Sequence, residues 1–192
     1  MGCIVFQCFT AFELGIQHMV FGGIPYYLSY FKKGLSFEGN TDKILFGRNP
    51  RLKDEFNRLF NAIFGNPEDC KKIVRLLAKR HSGYTREEIA RETGISLGGG
   101  LSDTLLALIE SDFVLRYTPY GKPGNMECYK LIDNFCLFWL KYVEDNHSDT
   151  SFMTDHVTSD IIRSWRAVAF EEVCWQHITQ IKRALEIGGV RS

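Results

Sequence analysis

The residues that could carry chemistry are few and scattered. The one Gly-Lys pair, Gly121-Lys122, ends as a phosphate-binding loop would, but Pro123 follows it and Arg116 stands where the leading glycine belongs. A phosphate loop needs successive backbone amides around the anion with a lysine beside them. No apolar run ending in an acidic pair offers a magnesium-holding strand either, so the chain is expected not to hydrolyse ATP by its own residues. His18, His81, His147, His156 and His177 lie apart from the six cysteines, and no Cys-x-x-Cys pair occurs. A zinc site, which takes four nitrogen or sulfur ligands, is therefore not expected. Cys3, Cys8, Cys70, Cys128, Cys136 and Cys174 read as reduced thiols packing as small hydrophobes. No nucleophile-elbow pattern supports a Ser/His/Asp triad. No catalytic or metal-ligating residue is assigned.

Charge is the remaining signal. Residues 43–92 hold twelve Lys or Arg against seven acids, a net of +5, while residues 133–160 hold six acids and one Lys, a net of −5. A chain whose overall charge is zero is thus polarised, which can orient it on a polyanion. The candidate nucleic-acid-binding set is Lys71, Lys72, Arg75 and Lys79 on one expected helix, Arg86 and Arg91 on the next, and Lys122 in a turn-rich loop. Such a set suits phosphate contact without base readout. It equally suits a solvated helix face. The stretch Leu101–Asp112, where a recognition helix would lie, has no Lys or Arg and carries Asp103, Glu110 and Asp112; only Ser102 and Thr104 could touch bases there. Guanine edges are typically read by Arg or Lys. Partners are therefore either DNA, contacted nonspecifically, or protein.

The elements that must position these residues follow from periodicity and caps. Residues 11–31 read as a helix, a break at Gly22-Gly23, and a second helix with Pro25 in its first turn. Residues 34–51 read as a polar connection. Leu52, Phe56, Leu59, Phe60, Ile63 and Phe64 repeat at helical spacing. Gly65 ends that helix, and Asn66-Pro67 starts another, with Ile73, Val74, Leu76 and Leu77 as its buried stripe. Thr85 and Glu88 form a capping box. Gly98-Gly99-Gly100 precedes a third helix burying Leu101, Leu105, Leu108 and Ile109. Two β-like runs, 113–118 and 126–132, flank the loop 119–125. The order helix, helix, helix, strand, loop, strand over 68–132 is that of a winged helix-turn-helix. Asp133 caps a further helix bearing Phe135, Phe138, Trp139, Tyr142 and Val143. A polar linker, 145–158, leads to a last helix from about Ser159 to Leu185.

The fold class expected is mainly α, with a small two-stranded β wing. At 45% hydrophobic and 14% aromatic residues, 192 residues suffice for a core. Met1–Phe12 is apolar but lacks a basic n-region, which argues against a signal peptide. Met1-Gly2-Cys3 resembles an acylation signal, but Phe6 stands where Ser or Thr is wanted. No apolar run reaches the ~18 residues of a membrane span. The expectation is a cytoplasmic protein with no membrane partner.

Five segments in order carry a family resemblance: Gly22-Gly23-Ile24-Pro25-Tyr26-Tyr27-Leu28; Leu52-Lys53-Asp54-Glu55-Phe56 with Leu59-Phe60; the capping-box helix with Gly98-Gly99-Gly100-Leu101-Ser102; Phe135-Cys136-Leu137-Phe138-Trp139; and Trp165-Arg166-Ala167-Val168-Ala169-Phe170-Glu171. Together they resemble the C-terminal half of the prokaryotic AAA-type ATPases common in archaea and Bacteroides-like bacteria. The resemblance spans roughly residues 11–190. It implies a lid-like helical remnant of an ATPase domain (1–50), a winged-helix domain (51–132), and a C-terminal helical segment (133–192) that is the truncated start of a PD-(D/E)xK-like nuclease domain. It implies further that the chain is a fragment. In the family, ATP and Mg²⁺ are held by a P-loop domain that would precede residue 11, so no cofactor is expected in this chain. In it, too, the helix bearing Tyr26-Tyr27 packs near the nucleotide, and Glu171 matches a carboxylate that can join others on Mg²⁺; otherwise Tyr26, Tyr27 and Phe31 are ordinary core aromatics, and Glu171 and Glu172 lie on a helix surface.

Overall fold

Local signals start most of the helices. The computed structural model describes residues 11–121, 126–146 and 148–187, with the backbone alone for 11–14. Helix α1 (Ala11–Phe21) stops at Gly22 and Gly23, whose φ angles of +64° and +72° suit glycine, and α2 (Pro25–Leu28) begins on its proline. Ser36 caps α3 (Phe37–Thr41), which runs on as a π-helical turn, Asp42–Phe46. Helix α4 (Glu55–Ile63) follows. In α5 (Pro67–Leu77) the Asn66 side chain accepts from the Asp69 amide. Both halves of the Thr85–Glu88 capping box form at α6 (Arg86–Thr93), and Gly94 closes it in the left-handed region. Helix α7 (Gly99–Glu110) comes next.

The β component is a three-stranded antiparallel sheet rather than a two-stranded wing. Strands β2 (Val114–Tyr117) and β3 (Cys128–Leu131) pair as expected, and β1 (Tyr84–Thr85) adds on the other side of β3, in the order β1-β3-β2. The sequence marks Thr85 only as a cap. An N-cap residue is extended, however, and Thr85 (φ −74°, ψ 165°) extends in register with Cys128. Gly83 brings the strand in: with φ +70°, a Cβ there would lie 2.3 Å from the Tyr129 carbonyl oxygen.

Asp133 caps α8 (Asn134–Phe138) through the Cys136 amide, and α8 continues as a second π-helical turn, Trp139–Val143. The expected linker contains a short helix, α9 (Phe152–His156). The last expected helix is two, α10 (Asp160–Gln176) and α11 (Ile178–Ala184), broken at His177. One apolar cluster runs from Ile16 to Ala169 through α1, α4, α5, α7, the sheet, α8 and α10. Phe56 stacks on Trp139 at 4.9 Å, and Phe60 meets Phe113 at 5.1 Å, so one face of α4 packs against the second π-helical turn and the start of β2. Ile63, expected inside, is exposed.

The segment 34–51 is not a free connection. Asp42 is buried, and its carboxylate accepts from the amides of Met153 (2.7 Å) and Thr154 (3.0 Å) and from the Thr154 hydroxyl (2.6 Å). A side chain 111 positions upstream thus satisfies orphan amides at the start of α9. No helix among the described residues is long and apolar enough to cross a membrane.

Candidate interaction surface

Helix α5 places the cations that sequence puts against phosphate, and the structure gives most of them carboxylates instead. Lys71 is buried, with its ammonium 2.8 Å from Asn61 Oδ1 and 2.9 Å from Glu68 Oε1. That ammonium holds the Glu68 carboxyl below its usual range. Lys71 is therefore not available to a phosphate. Its charge stays in the core-facing stripe because neighbours on α4 and α5 neutralise and bond it. Lys72 pairs with Asp69 at 3.3 Å and stays exposed. Arg75 lies 5.0 Å over the Phe56 ring and donates through Nε and Nη2 to Glu144 Oε1, at 2.8 and 2.7 Å. Lys79, past the end of the helix, is exposed.

On α6, Arg86 reaches the start of α7: its Nη2 donates to the Gly98 carbonyl and to Ser102 Oγ, each at 2.8 Å. Arg91 pairs with its neighbour Glu92. Lys122 lies outside the described residues. Of the proposed set, Lys72, Lys79 and Arg91 face solvent, while Lys71, Arg75 and Arg86 hold elements together.

Helix α7 turns Leu101, Leu105 and Leu108 inward. Both hydroxyls that could touch bases are engaged: Ser102 with Arg86, and Thr104, buried, with the Gly100 carbonyl at 2.8 Å. Its outward face carries Asp103, Leu106 and Glu110, with Leu106 52% exposed. Leu97, in the turn before it, is also exposed. Between α5, the second π-helical turn and α10 lies a groove of about 510 Å³, with Leu137, Leu140 and Trp165 among its apolar lining and Lys79, His81 and Lys141 among its cations. Further exposed apolar residues, Phe170, Trp175, Leu185 and Ile187, sit on α10 and beyond.

Sequence reasoning counts Arg80 only among the cations of the basic stretch and misses its internal role. Arg80 stacks 3.7 Å over Tyr84 and donates to Glu88 Oε2 at 2.6 Å, locking the end of α5 to the capping box. Sequence reasoning also missed the polar contact of α10 with the sheet. Glu172 is fully buried, not on a helix surface, and its Oε1 lies 2.6 Å from Lys130 Nζ on β3. Glu171 is half exposed, and both glutamates face His81. A lone Glu-Glu pair gives no sign of which carboxylate turns inward until the helix is docked. Tyr27 is buried against Phe135 and donates to Glu55, whereas Tyr26 is largely exposed, so that pair divides between core and surface. Cys70, Cys128 and Cys136 are buried free thiols. Burial pushes Cys70 up to about 11. Cys3, Cys8 and His147 lie outside the described residues. Among the described residues no group of three His, Cys, Asp or Glu could hold a metal ion.

No protein-family model, curated protein or solved structure matches the chain.

Proposed function

We propose that this chain is a non-catalytic part of an AAA-type ATP-binding protein, and that residues 51–132 form a winged helix working through protein or interdomain contacts. The observation that carries the contact reading is the use of the cations. Lys71, Arg75 and Arg86 are spent on internal bonds, and α7 offers an acidic and apolar outer face. A surface with Leu97 and Leu106 exposed and the phosphate-repelling carboxylates of Asp103 and Glu110 on the same helix fits a protein neighbour better than a duplex. The order α5, β1, α6, α7, β2, β3 and the sheet order β1-β3-β2 support the winged-helix assignment.

ATP and Mg²⁺ do not fit the residues present. Gly121-Lys122 lacks the leading glycine, so no nucleotide step is routed through this chain. Equilibrium dialysis and a phosphate-release assay with Mg-ATP check this: the expected result is neither binding nor hydrolysis by the chain alone, and turnover would overturn the non-catalytic reading.

The alternative is a winged helix making nonspecific phosphate contacts through Lys72, Lys79 and Arg91. The net +5 of residues 43–92 favours it. Salt-dependent duplex binding separates the two.

A further inference from the structure

We infer that the cavity between the two π-helical turns is a binding site for a small organic anion, a single oxyanion head group on an apolar body. The cavity measures about 590 Å³, a volume that suits a small ligand. The two π-helical turns among the described residues meet at it. Leu45 and Phe46 come from the first, Trp139 and Val143 from the second, and the Phe46 ring lies 6.2 Å from that of Phe138. Such turns are rare in proteins and frequent at functional sites. These four side chains are buried and give the cavity its apolar part.

The rest of the wall is rich in donors and poor in acceptors. Arg48, Lys53, Asn57 and Thr150 are exposed along it. Among the described residues no carboxylate pairs with Arg48 or Lys53. The acceptors are largely taken. Glu144 Oε1 receives Nε and Nη2 of Arg75 at 2.8 and 2.7 Å, and Asn146 Oδ1 receives the Asp149 amide at 3.0 Å. That leaves the Asp54 carboxylate against two cations. Trp139 adds a further donor: it is 5% exposed, and its indole N–H is buried without an acceptor. A buried donor left unpaired is costly. An oxyanion brings the acceptors that this wall lacks, and its charge is opposite to the excess there.

The site is also held in shape. The Gly47 amide donates to the Asp42 carbonyl at 2.7 Å and the Leu52 amide to the Ile44 carbonyl at 3.1 Å, which closes the segment carrying Arg48 at both ends. Phe46 stacks on Phe152 at 4.9 Å, and the Asp42 carboxylate ties the same turn to α9. A wall fixed before binding loses little in ordering when a ligand enters.

The test is a proton–nitrogen correlation NMR titration of the full chain, read at its three indole N–H signals, which single Trp→Phe substitutions assign. The probes are benzoate and phenyl phosphate, with benzyl alcohol as the neutral control and inorganic phosphate as the bare head group. The Trp139 signal should move saturably with at least one organic anion at about millimolar concentration, while those of Trp165 and Trp175 stay in place. The tighter of the two anions identifies the head group. Arg48→Ala and Lys53→Ala, both at exposed positions, should each weaken binding about ten-fold, and both controls should bind more weakly by at least about as much. No movement of the Trp139 signal with either anion up to about 20 mM would overturn the site. Binding unchanged in both cation variants, or matched by benzyl alcohol or inorganic phosphate, would overturn it equally. No residue of α7 lines the cavity, so these outcomes are separate from those that test the protein contacts proposed above.

Discussion

At Gly83 two demands meet in one residue: a φ of +70° and a backbone carbonyl 2.3 Å from where a Cβ would sit. Gly94 shares the dihedral, with φ +72°, but nothing lies within 4 Å of its would-be Cβ. The two substitutions to alanine therefore separate strain from clash. Gly94→Ala should cost about 1 kcal/mol from the left-handed conformation alone. Gly83→Ala should cost more than about 2 kcal/mol and loosen β1, because a backbone oxygen cannot swing aside. Thermal midpoints read the difference, at about 2–4 °C per kcal/mol for a chain of this length. Asp42 is the other residue on which much depends. Asp42→Ala strands the Met153 amide and two Thr154 donors and should cost about 2–4 kcal/mol by urea denaturation, with Asp42→Asn costing less. Neither residue stands out in the sequence. Gly83 is one of 17 glycines, and Asp42 bonds a helix start that chain order puts far away. Close approach and long-range capping are tertiary facts, so local spacing does not display them.

Among the elements, α6 is the most locally determined, and its start can be tested by acid. The Arg80 guanidinium, and then the Thr85 amide, hold the Glu88 carboxyl below its ordinary 4.5. A depressed carboxyl stabilises the fold above its unfolded value, and that contribution disappears as pH falls through the folded one. Stability measured by denaturant at successive pH values should therefore drop below about pH 4.5. In Glu88→Gln, which also loses the charged partner of Arg80, the drop should be shallower. Thr85→Ala should cost about 1 kcal/mol at neutral pH, independent of this titration. The capping box, the Pro25 and Pro67 starts, and the stripe Ile73, Val74, Leu76, Leu77 were legible because each is written within one turn or one helix face. Strand β1 was not, since two residues are too few to show a period of two. The break between α10 and α11 was not either: His177 carries no glycine or proline signal, and exposed residues after Glu172 leave little periodicity to lose.

Over the whole molecule, several cations of the basic stretch are drawn into internal pairs. Arg75 of the basic stretch meets Glu144 of the acidic one across α5 and the second π-helical turn, while Lys71, Lys72, Arg80 and Arg91 pair with acids of the basic stretch itself. The candidate phosphate-binding set could be read as a list of cations, but which of them stay free depends on which carboxylates the fold brings alongside. Only Lys72, Lys79 and Arg91 of the described members keep exposed charge, and two of these already have an acidic neighbour. The measurement that bears most directly on the contact reading is fluorescence anisotropy of the chain with a labelled random duplex at low and then moderate salt, alongside Glu144→Ala. The account predicts no measurable binding by the parent chain even at low salt, and a gain in Glu144→Ala, where Arg75 is released. Tight low-salt binding by the parent chain, falling steeply with salt and abolished by Lys72→Glu with Lys79→Glu, would contradict it and make the unit a DNA-binding module.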